Sequence, residues 1–181
     1  MSELQETRKV LRYFDDFPKK GIRFVDVNPI MYNPAALAEV TDVLIKRYSG
    51  PEYKIGAVAA LEARGYYFGI PLAVALKVPF IPLRKPGKLP GEISSVSYGK
   101  EYGTDSINVQ KGCIEEGMRV VIIDDLLATG GTLNAAIKLV KECGGVVVET
   151  MCVIELAALK GRAALPADVP FHSLIVEEHI V

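Results

Sequence analysis

Tryptophan is missing from this chain, histidine occurs twice, cysteine three times, and no long run of uncharged apolar residues is present. Each scarcity narrows what the protein can be. The two histidines, His172 and His179, both lie near the end of the sequence, which argues against histidine catalysis and against a His-rich zinc site. They read as tail or edge-strand residues without chemistry. Cys113, Cys143 and Cys152 form no CxxC pair, and their odd number argues for packed thiols in a reducing compartment over a disulfide framework. No stretch reaches the roughly 18 apolar residues of a spanning helix. The opening MSELQETRKV mixes both charge signs without an apolar core of the secretory type, so a cytoplasmic protein free of membrane is expected.

The formal net charge is -1, too small for diffuse attraction to nucleic acid or an anionic membrane. Any phosphate site must therefore be built locally. Neither GxxxxGK[ST] nor GxGxxG occurs, which sets aside Walker and Rossmann sites. The absence of GxSxG, with so little histidine, sets aside a hydrolase triad.

What is present suits one globular domain over residues 1–181: half of the residues are hydrophobic and 24% are charged, enough to bury a core. Apolar positions at Leu4, Val10, Leu11 and Phe14 predict a short helix over 4–14. Asn33 can cap a helix opened by Pro34, with Leu37, Val40, Leu44 and Tyr48 on one face. Thereafter short apolar runs (55–60, 78–83, 119–123, 146–154) alternate with helical stretches (66–76, 133–143). The run Val120-Val121-Ile122-Ile123 has no polar alternation, as expected of a strand covered on both faces. The pattern predicts an α/β fold with a central, mainly parallel sheet flanked by helices, and ligand-binding loops along one edge. Residues 84–102 interrupt it with a basic stretch rich in Gly and Pro, a disordered insertion or a functional flap.

The most specific string is VVIIDDLLATGGT, residues 120–132. Asp124 and Asp125, at the exit of a strand, are suited to accept hydrogen bonds from ribose-like hydroxyls or to face a metal. Ala128, Thr129, Gly130, Gly131 and Thr132 offer unencumbered amides and two hydroxyls before a helix N-terminus, a phosphate cradle. The competing reading is an ordinary strand, turn and helix in which Asp and Thr only cap.

This string resembles the 5-phosphoribosyl-1-pyrophosphate motif of type I phosphoribosyltransferases, in the form found in adenine-specific members. FPKKGIRFVDVNPI (17–30), LEARGYYFG (61–69), RKPGKLPG (84–91), YGKEYG (98–103) and ELAALKGR (155–162) resemble further segments of such enzymes in order and spacing. The resemblance implies the family fold, with a small N-terminal hood over about 1–33 and a flexible flap over about 84–104. It implies transfer of ribose 5-phosphate from 5-phosphoribosyl-1-pyrophosphate to adenine, giving AMP and pyrophosphate, in a homodimer.

By that resemblance, Asp124 and Asp125 hold the ribose hydroxyls and residues 128–132 the 5′-phosphate. Arg64, Arg84 and Lys88 take the pyrophosphate, the counterpart of Arg84 reaching the neighbouring subunit's site. From composition alone, Lys85 and Lys88 belong to a solvated basic loop. Glu101 is implied near adenine as the proton acceptor, with Tyr102 beside the reacting ribose and Arg64 completing the catalytic set. Adenine is expected under the hood, read by the backbone of Arg23 and Val25 and packed by Leu127 and Leu156. Members acting on 6-oxopurines carry an aspartate where Ala128 stands, so its absence favours adenine. Mg2+ is expected on substrate oxygens and water, with no protein ligand. The alternatives are a 6-oxopurine phosphoribosyltransferase and a non-catalytic nucleotide-sensing regulator of the same fold.

Overall fold

The computed structural model describes residues 4–17, 19–99 and 104–178. Helix α1 (Gln5–Val10) is shorter than the spacing predicts, because the chain turns at Leu11 into strand β1 (Arg12–Asp15). That strand pairs antiparallel with β2 (Arg23–Asp26), placing Phe14 opposite Phe24. Local apolar spacing carried the expectation past the helix end; the cross-strand partner decided otherwise. With no cap of its own, α1 has the Glu6 and Thr7 amides satisfied by the Glu39 carboxylate.

A short helix α2 (Asn28–Tyr32), which the sequence pattern did not indicate, leads into α3 (Pro34–Tyr48). There the Asn33 side chain accepts from the Ala35 and Ala36 amides, as its cap chemistry predicts. Ala36, Val40, Leu44 and Tyr48 are its buried positions. Next come β3 (Ala57–Leu61), α4 (Gly65–Leu76) and β4 (Phe80–Leu83). Strands β5 (Ile93–Gly99) and β6 (Thr104–Gln110) pair with each other antiparallel. The chain continues with β7 (Arg119–Leu127), α5 (Gly131–Glu142), β8 (Val146–Leu156), two 3-10 turns (Ala157–Leu159 and Gly161–Ala164) and β9 (Phe171–Glu177).

The central sheet has the order β4-β3-β7-β8-β9, and each of its pairings is parallel. Alternate residues serve two cores. Val58, Ala60, Val121 and Ile123 pack with α3 and α4 on one face. Ala57, Ala59, Leu61, Val120 and Ile122 pack with α5 and the β5–β6 pair on the other. All of them are buried, which explains the unbroken apolar runs.

From β3 the order runs one way to β4 and the other way through β7 to β9. The loops leaving the C-terminal ends of β3 and β7 therefore diverge to opposite faces and leave a crevice between them. Among the described residues no helix is long and apolar enough to cross a membrane.

Candidate active site

A cavity of about 450 Å3 occupies that crevice, lined by Glu62, Ala63 and Arg64 after β3, by Asp124 to Leu127 of β7, and by Ala128 to Leu133 after it. Strand β7 runs two residues beyond the acidic pair, so both carboxylates stand on strand backbone and not on a loose loop. Gly130 adopts a positive φ of 83° at the N-cap of α5, a conformation that an L side chain resists. No side chain caps α5. Its first-turn amides thus lack a side-chain acceptor while facing a cavity, an arrangement suited to an anion. The capping reading of Thr129 and Thr132 is not realised.

Charge in the crevice is arranged in pairs. Arg64 donates from Nε to Asp125 Oδ2 at 2.5 Å. Asp125 is almost fully buried, whereas Arg64 remains accessible, its side chain 42% exposed. Arg84 donates from Nε to Glu62 Oε2 at 2.7 Å and from a terminal nitrogen to the Lys88 carbonyl at 3.0 Å. Burial alone would raise the Glu62 carboxyl, but Arg84 and the Lys85 amide bring it below its ordinary value.

Asp124 behaves oppositely. Burial, and next the charge of Asp125, hold its carboxyl well above the usual range. A folded-state value above the unfolded one stabilises below the unfolded value, and that contribution is lost as pH rises through the folded one. Asp124→Asn removes the titration, so its melting temperature relative to the parent should climb as pH increases from about 4. Paired thermal melts across pH check the direction.

Of the residues singled out from sequence, the cavity gathers Arg64, Asp124, Asp125, Leu127, Ala128, Thr129, Gly130, Gly131 and Thr132. Arg84 and Lys88 are not in its lining; Lys85 is. Arg23 pairs with Asp15 and lies over the Tyr13 ring. Val25 is 2% exposed, its side chain in the α3–α4 core, and Leu156 packs against that same core. Glu101 and Tyr102 lie outside the described residues, as does His179.

Sequence reasoning passed over Tyr98, which lines the cavity and accepts from the Thr132 hydroxyl at 3.4 Å. Beneath the expected hood lies a second hollow of about 570 Å3, lined by Phe14, Phe17, Phe24, Asp26, Asn28 and Arg64, an aromatic lining that sequence reasoning did not name. Arg64 borders both. The available signal was period-2 alternation in β2, which sends Phe24 to the face opposite the buried Val25. Among the described residues no group of three or more His, Cys, Asp or Glu is placed to hold a metal.

A phosphoribosyl transferase domain model matches residues 26–169. Adenine phosphoribosyltransferase 1 of Triticum aestivum is 46% identical over 171 residues, covering 94% of this chain and 93% of that protein. The crystal structure of adenine phosphoribosyltransferase from Thermoanaerobacter pseudethanolicus superposes with a TM-score of 0.90 at 46% identity, over 96% of this chain and 99% of that one. The enzyme from Trypanosoma brucei, solved in complex with AMP, pyrophosphate and ribose 5-phosphate, gives a TM-score of 0.90 at 32% identity, over 98% of this chain and 80% of that one.

Proposed function

The chain belongs to the phosphoribosyl transferase family, among its adenine phosphoribosyltransferases, and from that premise we propose how its own residues join adenine to 5-phosphoribosyl-1-pyrophosphate in purine salvage. The carrying observation is the convergence, at the switch point of the sheet, of an acidic pair, an uncapped helix N-terminus and an accessible arginine. The 5′-phosphate accepts from the amides and hydroxyls of residues 128–132. The 2′- and 3′-hydroxyls donate to Asp124 and Asp125. The pyrophosphate draws on Arg64 and Lys85, assisted by Lys88.

The bond from C1′ to the pyrophosphate oxygen breaks, its electron pair leaving with pyrophosphate, and a bond from C1′ to adenine N9 forms on the opposite face. Fixed positive charge beside the leaving group favours the transition state over the ground state. Adenine lies in the hollow roofed by β1 and β2, against aromatic rings and near the backbone of Arg23 and Val25, with Leu127 and Leu156 toward the ribose side. Its N9 proton passes to Glu101, beside Tyr102, in a flap over about 84–104 that closes to exclude water. Residues about 1–33 form the hood of one domain, 1–181. Glu101→Gln should lower kcat about a hundredfold with binding of 5-phosphoribosyl-1-pyrophosphate nearly unchanged; equal losses in both would remove the proton role.

Mg2+ suits the site as an ion carried on the substrate, since this hard, hydrated cation takes phosphate and water oxygens and needs no protein ligand in the crevice. When bound on substrate oxygens, it supplies charge neutralisation to the pyrophosphate. A cytoplasmic homodimer completes the proposal. It is supported by Arg84, held at the rim outside its own chain's cavity lining, and by Ile70 and Val74 of α4, 45% and 72% exposed.

The small Ala128 opposes a 6-oxopurine reading, and the near-neutral charge opposes a regulator of nucleic acid. Incubation with Mg2+, 5-phosphoribosyl-1-pyrophosphate and each purine separately tests the assignment. AMP and pyrophosphate from adenine alone support it, while turnover with hypoxanthine or guanine alone, or with no base, overturns it.

A further inference from the structure

Behind the phosphate loop stands a charged cluster that touches neither cavity. Glu155, near the end of β8, has a side chain only 7% exposed. Arg162 grips it with a fork, Nε to Oε1 at 2.5 Å and a terminal nitrogen to Oε2 at 2.6 Å. Ser173 of β9 donates to Glu155 Oε2 at 2.7 Å and accepts from Arg162 at 3.2 Å. The Arg162 guanidinium also lies 4.8 Å from the centroid of the Phe171 ring. Three elements, the end of β8, the second 3-10 turn and β9, are thereby tied at one point.

Gly161, the residue before Arg162, is where this cluster meets the site. A methyl group on Gly161 would overlap the Ala128 carbonyl oxygen and crowd Leu127. A methyl group on Gly130 would overlap the Gly161 carbonyl oxygen and stand 3.0 Å from the Ala164 methyl. The two backbones are thus in direct contact, each glycine seated against the other segment, and the left-handed Gly130 that aims the α5 amides rests on Gly161.

We propose that Arg162, held by Glu155 and Ser173, is a positioning residue that sets the phosphate-binding loop through Gly161. A planar fork fixes both the distance and the rotation of the turn that carries it, which a flexible point charge does not. A loop displaced by a fraction of an ångström no longer points its amides at one phosphate. The inference rests on the reading that residues 128–132 take the 5′-phosphate.

The test is calorimetric titration of the full-length protein with ribose 5-phosphate and, separately, inorganic pyrophosphate, with KM for each substrate. Arg162→Gln and Arg162→Lys should both weaken ribose 5-phosphate about tenfold and raise KM for 5-phosphoribosyl-1-pyrophosphate to match, leaving pyrophosphate affinity and KM for adenine within twofold. Rescue by lysine would mean that charge, not the fork, matters, and would overturn the proposal. So would a lowered melting temperature with unchanged ribose 5-phosphate affinity, or equal weakening of both ligands. Should the Arg162 variants fail to fold, Ser173→Ala, which leaves the fork in place, is expected to show the same selectivity at about threefold, and no selectivity overturns it. Thr132→Val separates the two levels: if it leaves ribose 5-phosphate affinity unchanged, the phosphate assignment fails, whereas weakening by Thr132→Val without weakening by the Arg162 variants sinks this inference alone.

Discussion

Asp125→Ala should reduce kcat/KM for 5-phosphoribosyl-1-pyrophosphate roughly a thousandfold while leaving inorganic pyrophosphate binding intact or tighter. Asp125 accepts from Arg64. On the proposed division of roles, substrate entry exchanges this pair for two others: the pyrophosphate draws Arg64 away, and a ribose hydroxyl donates to the released carboxylate. Charge-assisted hydrogen bonds contribute about 1.5–3 kcal/mol each. Loss of the Asp125 acceptor removes one such bond and leaves the ribose hydroxyl it served without a partner in the crevice, together about 4 kcal/mol, or three decades in rate. Pyrophosphate alone makes no use of Asp125 and, in the variant, no longer competes with it for Arg64. Steady-state kinetics and calorimetry with pyrophosphate check the two halves. Parallel loss of pyrophosphate affinity would show that the carboxylate is needed to hold Arg64 in place, contradicting the exchange.

Arg47→Ala should destabilise the fold by about 3 kcal/mol without altering the substrate site. Arg47, in the last turn of α3, donates to both oxygens of Glu149 at 2.7 Å, and the Tyr48 hydroxyl donates to Oε2 at 2.7 Å. The Glu149 side chain is 6% exposed. Removing the arginine strands a buried carboxylate with one neutral donor, a change that costs about 3–5 kcal/mol in comparable settings. For a chain of this length 3 kcal/mol lowers Tm by about 6–12 °C. The double variant Arg47→Met with Glu149→Leu should recover most of the loss, because the desolvation of both charges disappears together with their attraction. Thermal melts of the single and double variants decide the matter. A double variant as unstable as the single would mean that the pair contributes net attraction beyond relieving burial.

That cluster also shows where sequence reading stops. Strand β8 slips register against β7 between Val120 and Val121, with Val120 opposite Val147 but Val121 opposite Glu149. The extra residue breaks the alternation of faces. In sequence Glu149 is a lone acid in an apolar run; its partners stand a hundred residues away on α3. The Arg162 fork was equally hidden. ELAALKGR is recognisable as a string, yet what its glycine rests against is set by the crossover that returns β8 beside β7.

The parallel α/β order, the Asn33 cap, the wholly buried strands and the acidic pair followed by small residues were all determined by the sequence itself. Each is a local matter: hydrophobic period, capping chemistry, or the lack of a side chain where a backbone amide must be reached. Tertiary structure decided the rest. It ended α1 at Val10 because β1 found a partner in β2, and it turned Val25 into the core and Phe24 toward the hollow. It placed Lys85 in the cavity lining but not Lys88, and set Arg64 against Asp125. These outcomes depend on pairing partners distant in sequence, and neither propensity nor spacing along one chain encodes which face or which neighbour a side chain will meet.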